Sequence, residues 1–372
     1  MTFLDSPITS WRMLFRVIKN MNNKIWLMEG LSSQKDIIQG IKIFAAAHHL
    51  QLTVYASHRH ERNEILSVAD HALIEPQEAS GRLAFITDIV ATHGIHHIHA
   101  GRNTLWFEEN RAAIEATGVT LTTGSTSAEW LALAEDKVAF AGLMQQHALP
   151  VVPSWRIDSV SDLQTYLASP PFSDSPICVK PVTGIHGMGF WRFDDTASAM
   201  DLFNHPENRT VNPQHYLAAL ASAESFKPLV LMPYLPGPEY SVDIFADNGE
   251  ILAVVGRRKE GAIQYLVNEG AAFELACECA RVMKADGLVN VQTRNDRQGT
   301  PLLLEINMRP SGGIGYTQHS GVNLPGLFAA FKLGLLTKDE VTGRAASAFS
   351  SVAVRAVTDV LLYPQTLSNR LN

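Results

Sequence analysis

Short apolar segments alternate with helical patterns over the first third of the chain. The apolar segments predict four strands, at residues 25–28, 52–56, 72–74 and 95–100. Apolar residues recur at helical spacing over residues 36–48 and 83–91, which predicts two helices between these strands. Strands that alternate with helices are typical of a parallel, doubly wound sheet, so the pattern predicts an α/β domain over residues 21–125.

The pattern changes after about residue 130. Three helices are predicted at 128–134, 137–147 and 160–167, followed by a proline-rich break at 169–176. Strands then dominate, at residues 177–180, 190–193, 229–233, 240–246, 251–256, 288–294 and 302–308, with one long helix at 269–284. This part of the chain predicts an α+β fold. Residues 1–20 are interpreted as an N-terminal extension, with a misassigned start codon as the alternative, because the sequence from Met21 has the form of a natural start.

Composition narrows the class of protein. Lys and Arg number 30 against 37 Asp and Glu, and this net charge of −7 argues against a general nucleic-acid binder. No apolar run reaches the roughly 18–20 residues of a membrane span. The three cysteines, Cys178, Cys277 and Cys279, are too few for a disulfide framework. They predict free thiols in a reducing compartment, so we expect a cytoplasmic protein.

The first candidate for chemistry is a lysine that ends a predicted strand and is followed by a glycine-rich loop. Lys180 precedes Gly184, Gly187 and Gly189, and a second strand follows the loop. Glycines let backbone N–H groups approach phosphate oxygens closely. The spacing is neither that of a P-loop nor that of a dinucleotide fingerprint. It predicts a β-hairpin whose tip folds over phosphates, and an ordinary glycine-rich hairpin is the alternative.

The second candidate is the strand at 302–308. Its period of two puts Glu305, Asn307 and Arg309 on one face and predicts an apolar opposite face, made of Leu304, Ile306 and Met308. Carboxylate and amide oxygens are ligands that Mg²⁺ accepts, with phosphate oxygens completing its shell. A guanidinium beside them would stabilise charge on a phosphoryl group in transfer.

The preceding strand carries Asn290, Gln292 and Arg294 on one face. If the two strands form a hairpin, Gln292 lies opposite Glu305 and Asn290 lies opposite Asn307. This register gathers the polar groups in one place. A solvent-facing amphipathic hairpin is the alternative.

A Pro-Gly break interrupts the strands between residues 231 and 243. Such a break frees backbone groups from the ladder, and these groups can pair with a purine edge. Glu239, just after the break, could accept hydrogen bonds from ribose hydroxyls. The alternative is an ordinary corner of the sheet.

Taken in this order, these segments resemble the ATP-grasp superfamily. The similarity is greatest to relatives of the carbamoyl-phosphate synthase large subunit and to amino-acid ligases, with a single ATP-grasp unit. The resemblance implies a pre-ATP-grasp α/β domain over 21–125, an ATP-grasp domain over 126–345 with a small lid at about 153–235, and a C-terminal segment over 346–372.

The resemblance also implies roles for matching positions. Those implied to bind the nucleotide are Lys137, Lys180, Gly184, His186, Gly187, Gly189, Pro233, Leu235, Glu239 and Arg258. The two lysines match the phosphate-binding positions, the glycine segment the mobile loop, Pro233 and Leu235 the adenine hinge, and Glu239 the ribose acid. Arg258 matches a basic strand end that often faces the acceptor site in relatives.

The metal and catalytic positions follow from the same resemblance. Gln292, Glu305 and Asn307 match ligands of Mg²⁺ or Mn²⁺, and Arg309 together with Lys180 matches the catalytic positions. Two positions depart from many relatives. Met232 stands where an acid often flanks the adenine, and Gln292 stands where some ligases have a carboxylate.

The implied activity is ligation of a small carboxylate to an amine or a thiol, with ATP and Mg²⁺ (or Mn²⁺) and through an acylphosphate. The implied partners are small molecules, with no nucleic acid and no membrane, and a homodimer is allowed. A nucleotide-binding regulator without turnover is the alternative. A dehydrogenase is disfavoured because the first strand lacks the glycine fingerprint.

The acceptor is expected near residues 311–316 and the strand ends of the first domain, where Arg102 is a candidate. His97 and His99 share one face of a predicted strand. Packing is the favoured interpretation for them, and a metal site is the alternative.

Overall fold

The computed structural model describes residues 23–172, 175–184 and 187–362. The N-terminal extension expected at residues 1–20 and His186 lie outside these ranges. The first sheet has five parallel strands in the order β3-β2-β1-β4-β5. Its strands are β1 (Asn23–Leu27), β2 (Leu52–His58), β3 (His71–Ile74), β4 (His97–His99) and β5 (Thr120–Thr122).

Five α-helices connect these strands: α1 (Gln34–Ala47), α2 (Asn63–Leu66), α3 (Arg82–His93), α4 (Thr104–Glu109) and α5 (Arg111–Glu115). One apolar cluster under the sheet contains Ile38 and Ile41 of α1, and another contains Ile86 of α3 and Ile98 of β4. The predicted doubly wound α/β arrangement is confirmed. The strand β5 was not predicted, because Leu121 is its one apolar residue.

Two helices, α6 (Ala128–Glu135) and α7 (Lys137–Gln146), lead to a second sheet of order β6-β10-β7-β8-β9. Its strands are β6 (Trp155–Ile157), β7 (Ile177–Pro181), β8 (Trp191–Phe193), β9 (Thr210–Val211) and β10 (Leu229–Pro233). The helices α8 (Val160–Ala168), α9 (Asp201–Asn204) and α10 (Pro213–Ser222) accompany it. The predicted hairpin is present, because Cys178 and Val179 of β7 pair with Arg192 and Trp191 of β8.

The third sheet is antiparallel and has the order β15-β14-β11-β12-β13-β16. Its strands are β11 (Glu239–Asp247), β12 (Glu250–Glu260), β13 (Ile263–Val267), β14 (Gly287–Asn295), β15 (Pro301–Asn307) and β16 (Ala353–Arg355). The helix α11 (Ala271–Val282) covers one face through Leu275, Ala276 and Cys279. The other face meets the first sheet's α1 through the helix α12 (Leu324–Lys332), and α13 (Lys338–Ala348) follows.

The helix α12 was missed because its sequence begins Leu-Pro-Gly, which suggests a turn. Proline is tolerated in the first turn of a helix, where its missing N–H has no intrahelical partner. Asn323 caps this end by accepting a hydrogen bond from the backbone N–H of Gly326. Gly326 then packs so closely on α1 that an added Cβ would lie 2.2 Å from the Cβ of Phe44. This contact holds the first sheet against the third.

Candidate functional site

A cavity of about 290 Å³ lies between the second and third sheets. Nine of the sequence-predicted residues line it: Lys137, Lys180, Gly184, Gly187, Pro233, Leu235, Glu239, Gln292 and Glu305. Gly189 lies beside the loop, where its φ of +72° and the ring of Pro181 leave no room for a side chain. The fold therefore brings segments more than 160 residues apart in sequence to one cleft of ligand size.

The pairing of β14 with β15 has the predicted register. Gln292 lies opposite Glu305, and Asn290 lies opposite Asn307. The predicted apolar face is wrong at one position, because the register shifts just after Gln292 and turns Leu304 toward the cavity beside Glu305. Ile306 and Met308 remain in the core beneath the sheet. The strand ends at Asn307, so Arg309 extends from the segment that follows β15.

Glu305 is the electrostatic centre of the cleft. Its Oε2 lies 3.5 Å from the Nζ of Lys180 and 3.8 Å from the Nζ of Lys137. Burial alone would raise the pKa of Glu305, but the charges of the two lysines and a hydrogen bond from Asn307 bring this pKa below its ordinary value. Glu305 is therefore held as a carboxylate.

Lys137 stands at the first residue of α7 with its side chain turned inward. Its Nζ donates to the backbone carbonyls of Val182 at 3.1 Å and Gly184 at 3.3 Å. Burial lowers the pKa of Lys137, Glu305 raises it and the charge of Lys180 lowers it, with a net decrease. Two partly dehydrated ammonium groups thus face one carboxylate, and phosphate oxygens would satisfy both of them.

The donor set for a divalent cation consists of oxygen atoms with a single negative charge. The Nδ2 of Asn307 lies 3.5 Å from the Oε1 of Glu305, and Gln292 lies across the strand pair from Glu305. Nowhere in the described ranges do three or more His, Cys, Asp or Glu side chains gather in a way that could hold a metal. One carboxylate and two amides fit Mg²⁺ when phosphate oxygens supply the remaining ligands.

The far end of the cleft is apolar and lies at the second sheet. Met232 and Leu235 are buried there, and the Sγ of Cys178 donates to the Met232 carbonyl at 3.5 Å. Sequence reasoning missed Tyr234, whose ring lies 5.2 Å from the guanidinium carbon of Arg192 and 5.5 Å from that of Arg294. Its only signal was an aromatic residue next to the predicted hinge.

Glu239 lies at the rim of this end. It forms ion pairs with Lys259 and, at 3.9 Å, with the Nη1 of Arg294. The carboxylate is about a quarter exposed and faces the cavity. This position is open to hydroxyl donors from a ligand.

Arg258 is not brought to the cleft, which corrects its predicted place in the nucleotide site. Side chains alternate along β12, so Arg257 and Arg258 point to opposite faces of the sheet. Arg258 lies over the ring of Tyr265, 4.9 Å from its centroid, and pairs with Glu260 at 3.0 Å. Arg257 is the buried residue of the two and lines neither cavity, a difference that the sequence did not show.

Arg257 is buried and its partners span the third sheet. Its Nε donates to Asp243 at 2.8 Å, and its Nη2 donates to the hydroxyls of Ser241 and Ser311, each at 2.8 Å. An added Cβ on Gly313 would lie 2.5 Å from this guanidinium. The segment after Arg309 is thus fixed on Arg257. The expected acceptor segment at 311–316 lines neither this cleft nor the next cavity.

A second cavity, of about 410 Å³, adjoins the first. The two share Lys137, Gly184 and Glu305. Asn307 and Arg309 line the second cavity from the third sheet, the segment from Gly101 to Leu105 lines it from the first sheet, and Glu135 lines it from the end of α6. Arg102, the sequence-predicted acceptor candidate, thus lines this cavity, and Glu135 was missed because its exposed position at a helix end carries no pattern.

His97 and His99 share one buried face of β4, as predicted. His97 hydrogen-bonds Thr120 at 2.7 Å through its Nδ1, and both rings lie edge-on to Phe328 of α12. Burial lowers the pKa of His97 well below 6.5 and that of His99 to about 4. Neutral rings packed at a domain contact agree with the packing interpretation.

Parts of this chain are similar in sequence to known proteins. A family model described as ATP-grasp in the biosynthetic pathway with Ter operon matches residues 225–360. The chain is 25% identical over 246 residues to the carbamoyl phosphate synthase large chain of Pyrococcus furiosus, which covers 62% of this chain and 21% of that protein. The chain thus spans about a fifth of the length of this curated relative.

Solved structures agree over most of the chain. An L-amino acid ligase from Bacillus licheniformis has a TM-score of 0.60 at 15% identity, covering 87% of this chain and 77% of its own. An ADP complex of N5-carboxyaminoimidazole synthetase from Staphylococcus aureus has a TM-score of 0.62 at 13% identity. This match covers 85% of this chain and 79% of the synthetase chain. The chain has an ATP-grasp fold. The first sheet is the domain that precedes the ATP-grasp fold in these structures, and the predicted two-part architecture is confirmed.

The first cavity, of about 290 Å³, lies between the second and third sheets, in the part of the chain that has the ATP-grasp fold. The biotin carboxylase of Campylobacter jejuni, solved with a nucleotide analogue, has a TM-score of 0.58 at 14% identity and covers 88% of this chain and 74% of its own. No helix in the described part of the chain has the length and apolar character that crossing a membrane requires.

Proposed function

We propose that the protein is an ATP-dependent ligase that joins a small carboxylate to an amine, or to a thiol, through an acylphosphate. One observation carries the proposal. A cleft with the lysines and oxygen ligands suited to a nucleotide meets a second, substrate-sized cavity at Lys137, Gly184 and Glu305. A phosphoryl group at this junction would be reached from both sides.

In this proposal ATP occupies the first cavity. Lys180 and Lys137 bind its phosphates, the backbone at Pro233 and Leu235 contacts the adenine, and Glu239 receives ribose hydroxyls. Gln292, Glu305 and Asn307 would hold Mg²⁺ or Mn²⁺, which neutralises phosphate charge when it is bound. The glycine segment from Gly184 to Gly189 would cover the phosphates and exclude water, because an acylphosphate is readily hydrolysed.

The reaction needs no nucleophile from the protein. A carboxylate oxygen in the second cavity attacks the γ-phosphorus, the bond from this phosphorus to the β–γ bridging oxygen breaks, and ADP leaves. Arg309 stabilises the negative charge on the transferring group. The amine nitrogen then attacks the carbonyl carbon, the bond to the phosphate oxygen breaks, and phosphate and a proton are released.

The named relatives support this class of reaction. They include an L-amino acid ligase and a carbamoyl phosphate synthase chain, and several solved structures hold ADP or ATP. The small-molecule partners, a location in the cytoplasm and a homodimer belong to the same proposal. The predicted domain boundaries also stay predictions.

The test is phosphate release from Mg-ATP in the presence of pooled amino acids, dipeptides and small carboxylates, with mass spectrometry of the products. Glu305→Gln should lower release by roughly 100-fold or more, because it removes the only negative charge among the proposed ligands. Glu278→Gln, on the exposed face of α11, is the matched control and should leave release unchanged.

Three outcomes are informative. Release that depends on one pool and is lost only in Glu305→Gln supports the ligase. Tight ATP binding without release from any pool would favour the nucleotide-binding regulator. Absence of ATP binding would contradict both functions.

A further inference from the structure

We propose that the second cavity binds an α-amino acid as the carboxylate substrate, with Arg309 and Arg102 receiving its carboxylate and Glu135 its ammonium group. This inference rests on the proposed ligase function and names the substrate class of the same site. It follows from the charged side chains that line the cavity.

Five charged side chains line the second cavity: Arg102, Glu135, Lys137, Glu305 and Arg309. Lys137 and Glu305 face each other at 3.8 Å and belong to the junction with the nucleotide cleft. Two guanidinium groups and one carboxylate are left. A ligand that complements them carries both an anionic and a cationic group.

Arg309 is a partly buried cation without a carboxylate partner. In the described part of the chain its one hydrogen bond goes to the carbonyl of Pro310 at 3.4 Å, and no carboxylate lies within 4.0 Å. Arg102 lines the same cavity, so two guanidinium groups share one space in which Arg309 is partly buried. An anion between the two guanidinium groups would relieve both the desolvation and the repulsion.

Arg102 comes from the other side of the cavity and is held in place from behind. Its Nη1 lies 3.4 Å from the Oε1 of Glu29, a buried carboxylate that is more tightly bound by Arg59. Over the described ranges, Glu29 is the one carboxylate within 4.0 Å of Arg102. The guanidinium is therefore oriented by Glu29 and keeps donors free for a ligand.

Glu135 supplies the complementary charge. It ends α6, lines the second cavity, and has no hydrogen bond or ion pair within the described residues. Its charge acts on both Lys137 and Arg309, although neither cation lies within 4.0 Å. A carboxylate that lines the same cavity as two guanidinium groups suits the ammonium group of a bound zwitterion.

Part of the remaining wall is apolar. Leu31, Leu105, Leu131 and Ala134 contribute to it, and Leu105 is an exposed apolar residue. A side chain from the substrate would cover this surface and gain from its burial. The geometry thus favours an amino acid with an apolar side chain.

This assignment makes the amino acid the acyl donor. Its carboxylate lies at Arg309, next to the junction where the γ-phosphate would be, and becomes the acylphosphate as ADP leaves. Its ammonium group stays protonated on Glu135 and does not react. The nucleophile is then a second amine, whose nitrogen forms the new bond as phosphate departs.

The test uses hydroxylamine, which attacks an acylphosphate and yields a hydroxamate and phosphate. Alanine, valine, leucine and phenylalanine are compared, with Mg-ATP, to acids of the same skeleton that lack the amino group: propanoate, 3-methylbutanoate, 4-methylpentanoate and 3-phenylpropanoate. We expect kcat/KM for the best amino acid to exceed that of its partner acid by about 10- to 100-fold, the range of one charged hydrogen bond.

The variants separate a binding role from a structural one. Glu135→Gln should lower kcat/KM for the amino acid by about 10-fold or more and leave the partner acid within about 2-fold. Glu129→Gln, an exposed residue on the same helix, is the matched control and should change neither. Glu135→Lys should favour the alkylmalonate that carries a second carboxylate in place of the amino group.

The outcomes distinguish this inference from the function on which it rests. Equal rates with an amino acid and its partner acid, or an equal loss of both in Glu135→Gln, would overturn the ammonium site and leave the ligase standing. Phosphate release from the pooled carboxylates without hydroxamate from any of the four amino acids would do the same. No ATP-dependent product from any carboxylate would overturn both proposals.

Discussion

The stability of the protein should fall steeply with pH below neutrality because of His99. The ring is 3% exposed, its Nδ1 lies 3.1 Å from the hydroxyl of Thr122, and its Nε2 is buried without a hydrogen-bond partner in the described residues. Phe328 of α12 covers it, with ring centroids 5.2 Å apart. Protonation here would place an unpaired charge in the contact between the first sheet and α12.

The magnitude follows from the pKa. Burial, with a smaller contribution from the charge of Lys332, lowers the pKa of His99 from 6.5 to about 4. The unfolded chain therefore binds this proton more tightly, so stability is lost as pH falls from 6.5 toward 4. Each pKa unit corresponds to about 1.4 kcal/mol, which gives a total near 3 kcal/mol. Linkage places about 2 kcal/mol of this loss between pH 7.5 and pH 5.

The assay is urea unfolding at pH 7.5, 6.5, 5.5 and 5, for the native sequence and for His99→Asn. Asparagine keeps a polar atom near Thr122 and does not titrate. The difference in unfolding free energy between the two proteins should shrink by about 2 kcal/mol from pH 7.5 to pH 5. His97 is present in both proteins, and burial, the largest cause of its lowered pKa, is common to them, so most of its contribution cancels. Parallel pH curves for the two proteins would refute the reasoning.

Three further predictions concern residues around the site. Gly124→Ala should destabilise the fold by at least about 2 kcal/mol in thermal unfolding, because φ is +91° and the new Cβ would lie 1.9 Å from a backbone carbonyl oxygen. The control Gly142→Ala, in open space on α7, should not destabilise the fold, and equal effects of the two substitutions would contradict this account. Burial raises the pKa of the Cys178 thiol to about 12. Alkylation of Cys178 by iodoacetamide at pH 8 should therefore be roughly 1,000-fold slower in the native protein than in the protein unfolded in guanidinium. Peptide mass spectrometry measures both rates, and equal rates would disprove the prediction. Arg257→Met should lower the free energy of urea unfolding by about 3–5 kcal/mol, since it leaves Asp243 buried without its cation. Combining Arg257→Met with Asp243→Asn should recover part of that loss. Additive losses in the double variant would argue against a stabilising ion pair.

The alternation of polar and apolar residues was sufficient to predict how the two strands that carry the proposed metal ligands pair. Polar residues at alternate positions in two adjacent strands have few registers that place them together, and the structure has the predicted one at Gln292 and Glu305. The turn of Leu304 toward the cavity could not be predicted. A shift in register depends on what packs above and below the strand, which is information that the strand itself does not contain.

The second cavity was harder to predict because it is made by packing between sheets. Arg102 follows a strand end of the first sheet and could be nominated on general grounds. Glu135 faces the same cavity only because α6 packs beside the segment that carries Arg102. Arg257 and Arg258 were indistinguishable in sequence, since strand alternation shows that they differ but not which of them faces inward.

The single carboxylate of the proposed metal site has a consequence for the order of binding. Glu305 interacts with Lys180 and Lys137 at 3.5 and 3.8 Å, so a cation would compete with two ammonium groups for one negative charge. Phosphates bound in the cleft would pair with the lysines and release Glu305. Because Gln292 and Asn307 are neutral, the phosphates would also supply most of the charge that attracts the metal. In the proposed ligase, metal and nucleotide therefore bind as one unit, and the neutral glutamine is compatible with turnover.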